Sequence, residues 1–567
     1  MTSLNYSKLF KKYARVSTSG IFFFLLVSTG FSQRYSIYEN QDFSLIEKHL
    51  YQPGNNFHTS VRQYQYNQMN RVINVDSMLY DGIKKPNGKL NFWKRIFHDD
   101  LLKWNKTDEN LRVVINPLFN FEAGKESVDG TNTFINTRGL FVEGSIGKNF
   151  AFYADVLENQ GSFPNYVESF IQERKVVPGQ GKRKSIATTD SHDYTQATGY
   201  ISFNAGRYFN FQLGTGKNFI GDGYRSMLLS DVAFSYPYFK FTTDFWKVKY
   251  MIMWASMTHL SRYGDATDEP SQDISYPTKY GVFHYLDWNI GKRFSLGLFE
   301  SVIWSAYETS MESEQDTVTK YRGFDWHYAN PFIFFRPVEY SVGSPDNVNI
   351  GFNAKYIAAN WLTLYGQFMF DEFKFDELSS GNQWWGNKYA YQLGFKTFDL
   401  FGLKNLRWQV EYNRARPYTY SHNKVVNNYG HYNQSLAHPL GANFSEFLTI
   451  VNYRFKRWQL RGEIMKAKYG KDDVETNNYG GDIFKPNNNG PVINGEIKQY
   501  GHVTGQGLST DLFYAEGSVS YLINPRNNFN IAAGLRLRNE TNSQEKNETR
   551  FVWFAVRTSL KNLYYDF

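Results

Sequence analysis

The sequence predicts an all-β transmembrane fold: an antiparallel outer-membrane β-barrel of about 18 strands, preceded by an N-terminal, mainly helical segment. Three observations predict it. Aromatic residues make up 18% of the 567, yet mean hydropathy is −0.53 and only 41% of residues are hydrophobic. Soluble domains bury aromatics in a core, whereas outer-membrane barrels place them on a lipid-facing band with two interfacial girdles and keep the lumen polar. Second, alternating runs of about 9–13 residues recur from about residue 113, long enough to cross a bilayer when tilted and longer than soluble-sandwich strands. Third, the connections between runs alternate short and long, as periplasmic turns and outer loops do.

The chain begins "MTSLNYSKLFKKYARVSTSGIFFFLLVSTGFSQ". Lys8, Lys11, Lys12 and Arg15 form a basic region, Ile21 to Val27 a short apolar run, and Gly30 and Ser32 the small residues of a cleavage site. Residues 1–32 are read as a secretory signal peptide, too short in its apolar part to span a bilayer. Four of the charges behind the formal net charge of +8 lie in it. Residues 33–112 carry short amphipathic patterns separated by Pro, Gly and Asn. The expectation is short helices, lying in the periplasm or plugging the barrel.

Residues 113–567 form the expected barrel. Its strands are read at 113–121, 134–146, 150–158, 198–206, 209–217, 232–243, 246–258, 279–290, 294–306, 346–356, 361–372, 387–398, 404–416, 443–454, 458–470, 509–521, 528–539 and 549–560. Tight basic turns such as "GSIGKNFAFYADV" and "WNIGKRFSLGLF" join alternating runs and read as hairpins. Along one run, Leu406, Trp408, Val410 and Tyr412 alternate with Arg407, Gln409, Glu411 and Asn413. The chain ends "RFVWFAVRTSLKNLYYDF", with Val552, Phe554, Val556 and Leu560 on one face. Phe567 is out of phase, so either a bulge intervenes or the strand stops before Tyr565.

No cysteine is present, which excludes disulfides, thiolate metal sites and thiol nucleophiles. The basic balance comes without any RNP, KH or zinc-finger pattern, so a nucleic-acid partner is not expected. The stretch "GTGKNFIGDGYRS" looks like a phosphate cradle, but a P-loop would need Gly at Phe211 and Ser or Thr at Asn218. A dinucleotide fingerprint would need Gly or Ala at Phe219. The stretch is read instead as the outer end of a strand and its loop, with glycines permitting a tight or inward-folded path. "SHDY", Ser191 to Tyr194, holds Ser, His and Asp together, which leaves an outer-membrane hydrolase around His192 as a minor alternative. No metal or cofactor is expected.

The inward faces carry Lys388, Lys396, Arg407, Glu411, Arg454, Arg461, Glu463, Glu516, Arg536 and Arg538. These mixed charges read either as a salt-bridged filling or as a polar surface for a saccharide. The loop aromatics Trp384, Trp385, Tyr418 and Tyr420 read either as exposed stacking platforms for sugar rings or as girdle residues.

The stretches "GKNFIGDGYRSMLLSD", "YPYFKFTTDFWKVKY" and "NPFIFFRPVEYSVGSPDNVNIG", with the ending "YYDF", resemble the gliding-motility RemB family of Bacteroidota outer-membrane proteins. More distantly, the arrangement is similar to the Wzi capsule-assembly family, an 18-stranded barrel with an N-terminal helical segment that helps attach capsular polysaccharide. The resemblance covers the middle third and the end of the chain. It implies a non-enzymatic outer-membrane protein for gliding or for handling surface polysaccharide, with membrane lipid, polysaccharide and gliding or secretion components as candidate partners. Asp222, Tyr224, Arg225, Arg336 and Glu339 lie in the matching stretches and are the candidate ligand-binding residues. A diffusion channel or substrate-specific channel is the main alternative, because the inward face is polar.

Overall fold

A computed structural model describes residues 40–84, 88, 90–106, 108, 110–186, 191–260, 276–311, 317–332, 346–372, 374–474, 477–487, 490–493, 496–558 and 561–567. The expected signal peptide lies outside these residues, as do Arg336 and Glu339.

Eighteen strands close into one antiparallel barrel. The first nine are β1 (Leu111–Glu126), β2 (Asn132–Ile146), β3 (Phe150–Ser162), β4 (Ser191–Ala205), β5 (Phe209–Gly216), β6 (Tyr236–Phe245), β7 (Val248–Thr258), β8 (Thr278–Asn289) and β9 (Phe294–Ser305). The rest are β10 (Asn347–Ala359), β11 (Leu362–Glu372), β12 (Lys388–Phe398), β13 (Leu406–Ala415), β14 (Phe444–Phe455), β15 (Trp458–Lys471), β16 (Leu508–Asn524), β17 (Phe529–Thr541) and β18 (Lys546–Arg557). β18 closes the ring on β1, with Phe551 opposite Glu126 and Arg557 opposite Asn120. Each expected run falls on one of these strands. The largest shifts in start are at β4, which begins at Ser191 rather than 198, and β6, which begins at Tyr236 rather than 232.

Burial is inverted relative to a water-soluble protein. On β13, Arg407, Gln409, Glu411 and Asn413 are buried, while Leu406, Trp408 and Val410 face outward. Leu393 is 61% exposed and Val552 55%. Exposed apolar area costs about 25 cal/mol per Å² in water, so a continuous outward band of this kind requires hydrocarbon around it. Phe245, Trp246, Trp361 and Trp458 sit exposed at the short-turn end, where an aromatic girdle meets the headgroups.

The lumen is occupied by three segments. The first is N-terminal: α1 (Asn40–Leu50), α2 (Tyr66–Val72) and α3 (Val75–Leu79). Ile46, Leu50, Tyr51, Tyr64, Met69 and Val75 make a small apolar core against Phe398 in the short-turn half. Further along, α4 (Phe92–His98) is followed by a strand, Leu102–Lys106, that pairs with the start of β1, so residues 34–112 are not helical throughout. The reason is the stagger of the ring: β18 covers β1 only from Asn120 upward and leaves its first half without that neighbour. The second segment is the loop after β5, in which every residue of 217–230 is buried. It descends into the lumen rather than lying across the barrel mouth. The third is the C-terminal tail. The strand expected at 549–560 ends at Arg557, and residues 561–567 turn inward, where Lys561 pairs with Asp155 at 2.9 Å and Tyr564 donates to Asp231 at 2.7 Å. Phe567 therefore does not end a membrane strand.

Candidate ligand-binding site

The inward loop is built by close approach. Gly221 has φ +143°, and a Cβ there would strike the Gln367 side chain. A Cβ on Gly223 would lie 2.5 Å from Gln392 Oε1. Both glycines thus let backbone pass against lumen glutamines. Gln367 Oε1 accepts from Met227 N at 2.8 Å, and Gln392 Nε2 donates to Arg225 O at 3.0 Å. Polar wall side chains satisfy the buried loop backbone, as a buried loop requires.

Asp222 is fully buried and accepts from Tyr51 Oη at 2.7 Å, Thr59 Oγ1 at 2.5 Å and Asn353 Nδ2 at 3.1 Å. Burial alone would raise its carboxyl, but Lys355, Lys396 and the Thr59 and Tyr51 hydroxyls outweigh it and hold the group below the usual carboxylate value. Arg225 pairs with Glu446 at 3.1 Å and Asp566 at 2.9 Å, and donates to the Asp566 main-chain oxygen at 2.8 Å. Glu411 accepts from the main-chain nitrogens of Tyr224 and Arg225. Lys217, the lysine of the supposed phosphate cradle, donates to Asp231 O at 3.0 Å, and burial lowers its ammonium to about 8.

The other sequence-named charges fall into local partnerships. Lys396 and Arg407 both meet Glu47 of α1, at 2.8 and 2.7 Å. Arg454 donates to Leu79 O at 2.9 Å, and Lys388 pairs with Glu372 at 2.8 Å. Arg461 pairs with Glu463 at 2.5 Å, Arg536 with Glu516 at 2.8 Å and Arg538 with Glu540 at 2.6 Å. Tyr224, Arg461, Glu463, Glu516 and Arg536 line one inner cavity of about 210 Å³. His192 is buried on β4 with its Nε2 2.7 Å from Glu168, and among the described residues its Nδ1 has no hydrogen-bond partner, so it is not engaged with Ser191.

A larger pocket, of about 570 Å³, opens at the long-loop end. Its walls are α5 (Asn165–Arg174), residues of the loop 433–442, and residues 472–474 and 481–485; Tyr564 and Phe567 of the tail also line it. The Phe567 ring packs 4.9 Å from Phe170, and its main-chain oxygen accepts from Arg538 Nε at 2.9 Å. Arg174 pairs with Asp482 at 2.9 Å and lies over the Phe484 ring at 5.1 Å. Lys485 pairs with Asp472 at 2.7 Å. Apolar ring faces beside fixed charged groups can take a polyhydroxylated ring, with stacking on one side and hydrogen bonds on its rim. Of the lumen charges and candidate ligand contacts named from the sequence, only Arg538 lines this pocket among the described residues. The tail partitions the two spaces: Tyr565 and Asp566 line the inner cavity, Phe567 the outer pocket, and Tyr564 both.

Tyr418 and Tyr420 are corrected. They are 1% and 0% exposed: Tyr418 Oη donates to Asn478 O in the outer loop after β15 and Tyr420 Oη to Met227 O in the inward loop, both at 2.8 Å. Trp384 and Trp385 are half-buried. The exposed loop aromatics among the described residues include Tyr321, Trp326 and Phe375.

No family model and no curated protein sequence matches the chain. Among solved structures, the chain is similar to Wzi of Escherichia coli, an outer membrane protein involved in group 1 capsule assembly and described as a carbohydrate-binding β-barrel. That match has 13% identity and a TM-score of 0.52, and covers 93% of this chain and 100% of that one. OprD of Pseudomonas aeruginosa matches at 10% identity and a TM-score of 0.40, covering 79% and 95%. OccAB2 of Acinetobacter baumannii matches at 9% and 0.40, covering 79% and 98%. At 13% identity the likeness to Wzi is one of fold: an outer-membrane β-barrel.

Proposed function

We propose that this outer-membrane barrel holds surface polysaccharide at its long-loop end, without turning it over, in support of capsule attachment or gliding. The observation that carries the reading is the 570 Å³ pocket, in which Phe170, Phe484 and Phe567 lie beside the Arg174–Asp482 and Lys485–Asp472 pairs. The occupied lumen supports it further, since a solute channel needs a continuous path. The carbohydrate-binding description of the similarly folded Wzi agrees with it, and the RemB-like stretches favour a link to gliding.

The test is retention of the producing cell's own extracted surface polysaccharide by the purified protein. Phe484→Ala removes the ring under Arg174 and should weaken retention about tenfold, the value of one lost stacking contact of roughly 1–1.5 kcal/mol. The polysaccharide should leave the incubation at its original length. Unchanged retention in the variant, or a shortened polymer, sinks the reading. A deletion strain with normal spreading and normal capsule would remove the cellular half of it.

A further inference from the structure

We propose that residues 91–106 form an interfacial foot, docked on the phospholipid leaflet at the short-turn end of the barrel. The helix α4 is amphipathic. Phe92, Trp93, Ile96 and Phe97 share one face, and Lys94, Arg95 and His98 share the other. No residue of α4 is buried, and Phe92, Trp93 and Phe97 are 52%, 70% and 47% exposed. A soluble surface does not leave three large rings on one turn-and-a-half of helix uncovered.

The helix is not a loose excursion. Asn91 caps its start by accepting from Lys94 N at 3.0 Å. Asn524, at the end of β16, clamps its finish by donating to Arg95 O, Ile96 O and Asp99 O at 3.2, 3.0 and 2.9 Å. Arg526, in the turn after β16, holds Asp100 at 3.0 Å. α4 is therefore fixed to the short-turn rim, the level at which Trp246, Trp361 and Trp458 stand exposed.

Register supplies the occupant. In the strand Leu102–Lys106, Leu102 lies opposite Ile115 and Trp104 opposite Val113. Opposed residues of an antiparallel pair project to the same side. Val114 and Asn116 of β1 are buried on the lumen side, so Val113 and Ile115 project outward. Leu102 and Trp104 accordingly extend the outward, hydrocarbon-facing surface of β1 below the point where β18 stops covering it. The surface is continuous with the lipid-facing band, which selects lipid over a soluble partner. The exposed Lys94 adds attraction to anionic headgroups.

The chain has no cysteine, so single cysteines report cleanly. Trp93→Cys, Trp104→Cys and, as the reference on the basic face, Lys94→Cys are labelled with an environment-sensitive fluorophore in the full-length barrel. Each is reconstituted into phosphatidylcholine vesicles with and without phosphatidylglycerol, and used only where the barrel keeps its heat-resistant compact mobility. Phe97→Cys replaces Trp93→Cys if the latter does not assemble. Labels at 93 and 104 should be quenched by nitroxides on acyl chains and be about threefold less accessible to aqueous iodide than the label at 94, more so with phosphatidylglycerol. Equal iodide access at all three positions overturns the proposal. So does shielding that disappears when the protein is diluted in the bilayer, which would mark a second copy as the occupant.

Discussion

At the scale of the residue, Arg225 joins all the lumen segments but the N-terminal one. Its guanidinium, 1% exposed, meets Glu446 of the wall and Asp566 of the tail, while its main chain is held by Glu411 and Gln392. The buried pair is not by itself strong evidence of net stabilisation, but removing one partner strands the others. Arg225→Met leaves two carboxylates buried near each other without their cation, at a cost of about 3–5 kcal/mol. The wall has its own complete ladder of hydrogen bonds, so the loss falls on the loop and tail. Limited proteolysis should begin to cut within 217–235 and release residues after Thr558, while the barrel itself resists. Arg225→Lys should recover little of this, because one ammonium cannot reproduce the forked contacts to two carboxylates and a carbonyl. Resistance to protease equal to that of the unaltered protein would show that the ion cluster does not hold the loop.

At the scale of the element, α1 is bound to the wall chiefly through Glu47. The buried carboxylate meets Lys396, Arg407 and, at 3.9 Å, Arg62. Burial would raise it, but the three cations outweigh burial and hold it below the usual carboxylate value. Its docked value is depressed, so its contribution is present above the undocked value, about 4.3, and is lost as pH falls through the lower docked one. A fluorophore on Ser77→Cys, exposed on α3, should keep high anisotropy down to about pH 4 and lose it below, as the helices leave the lumen. Adding Glu47→Gln should lower the anisotropy at neutral pH and flatten its acid dependence; an unchanged acid limb would assign the transition to other groups. The helices themselves were legible in the sequence, since their apolar spacing survives in a polar lumen. The path of the loop 217–235 was not. Its Gly, Asp, Arg and Ser match a surface loop, and its buried apolar residues, among them Phe219, Ile220 and Met227–Leu229, come in short clusters without a strand or helix period, so no pattern marks the path as buried. The same holds for Tyr418 and Tyr420, whose hydroxyls find carbonyl partners that only the fold supplies. The outer pocket joins Arg174 to Asp482 across 308 residues, and no periodicity in either loop marks them as neighbours.

At the scale of the whole molecule, the barrel could be read early because a membrane wall turns the period-2 pattern into its own signature: apolar outside, polar inside, aromatics at the rims. The contents of the lumen decide what that wall is for. They are linked in series: Tyr51 of the N-terminal segment to Asp222 of the loop, Arg225 of the loop to Asp566 of the tail, and Tyr564 of the tail back to Asp231. The loop is the shared member, and its removal leaves the other two segments joined only to the wall. The intact protein should therefore give no steady conductance in planar bilayers. Replacing residues 220–230 with a short Gly-Ser bridge should give long-lived openings, because β5 and β6 already end side by side, with Gly216 opposite Tyr236. Conductance is preferable to stability as the readout, since the eighteen-strand ladder is untouched by the change. Steady openings of the unaltered protein would put the channel reading ahead of polysaccharide holding, and the outer pocket would then be the vestibule of a pore. A silent bridge variant with an intact barrel would instead show that the N-terminal helices close the lumen alone, and that the serial linkage through Asp222 and Arg225 serves the shape of the outer pocket rather than closure.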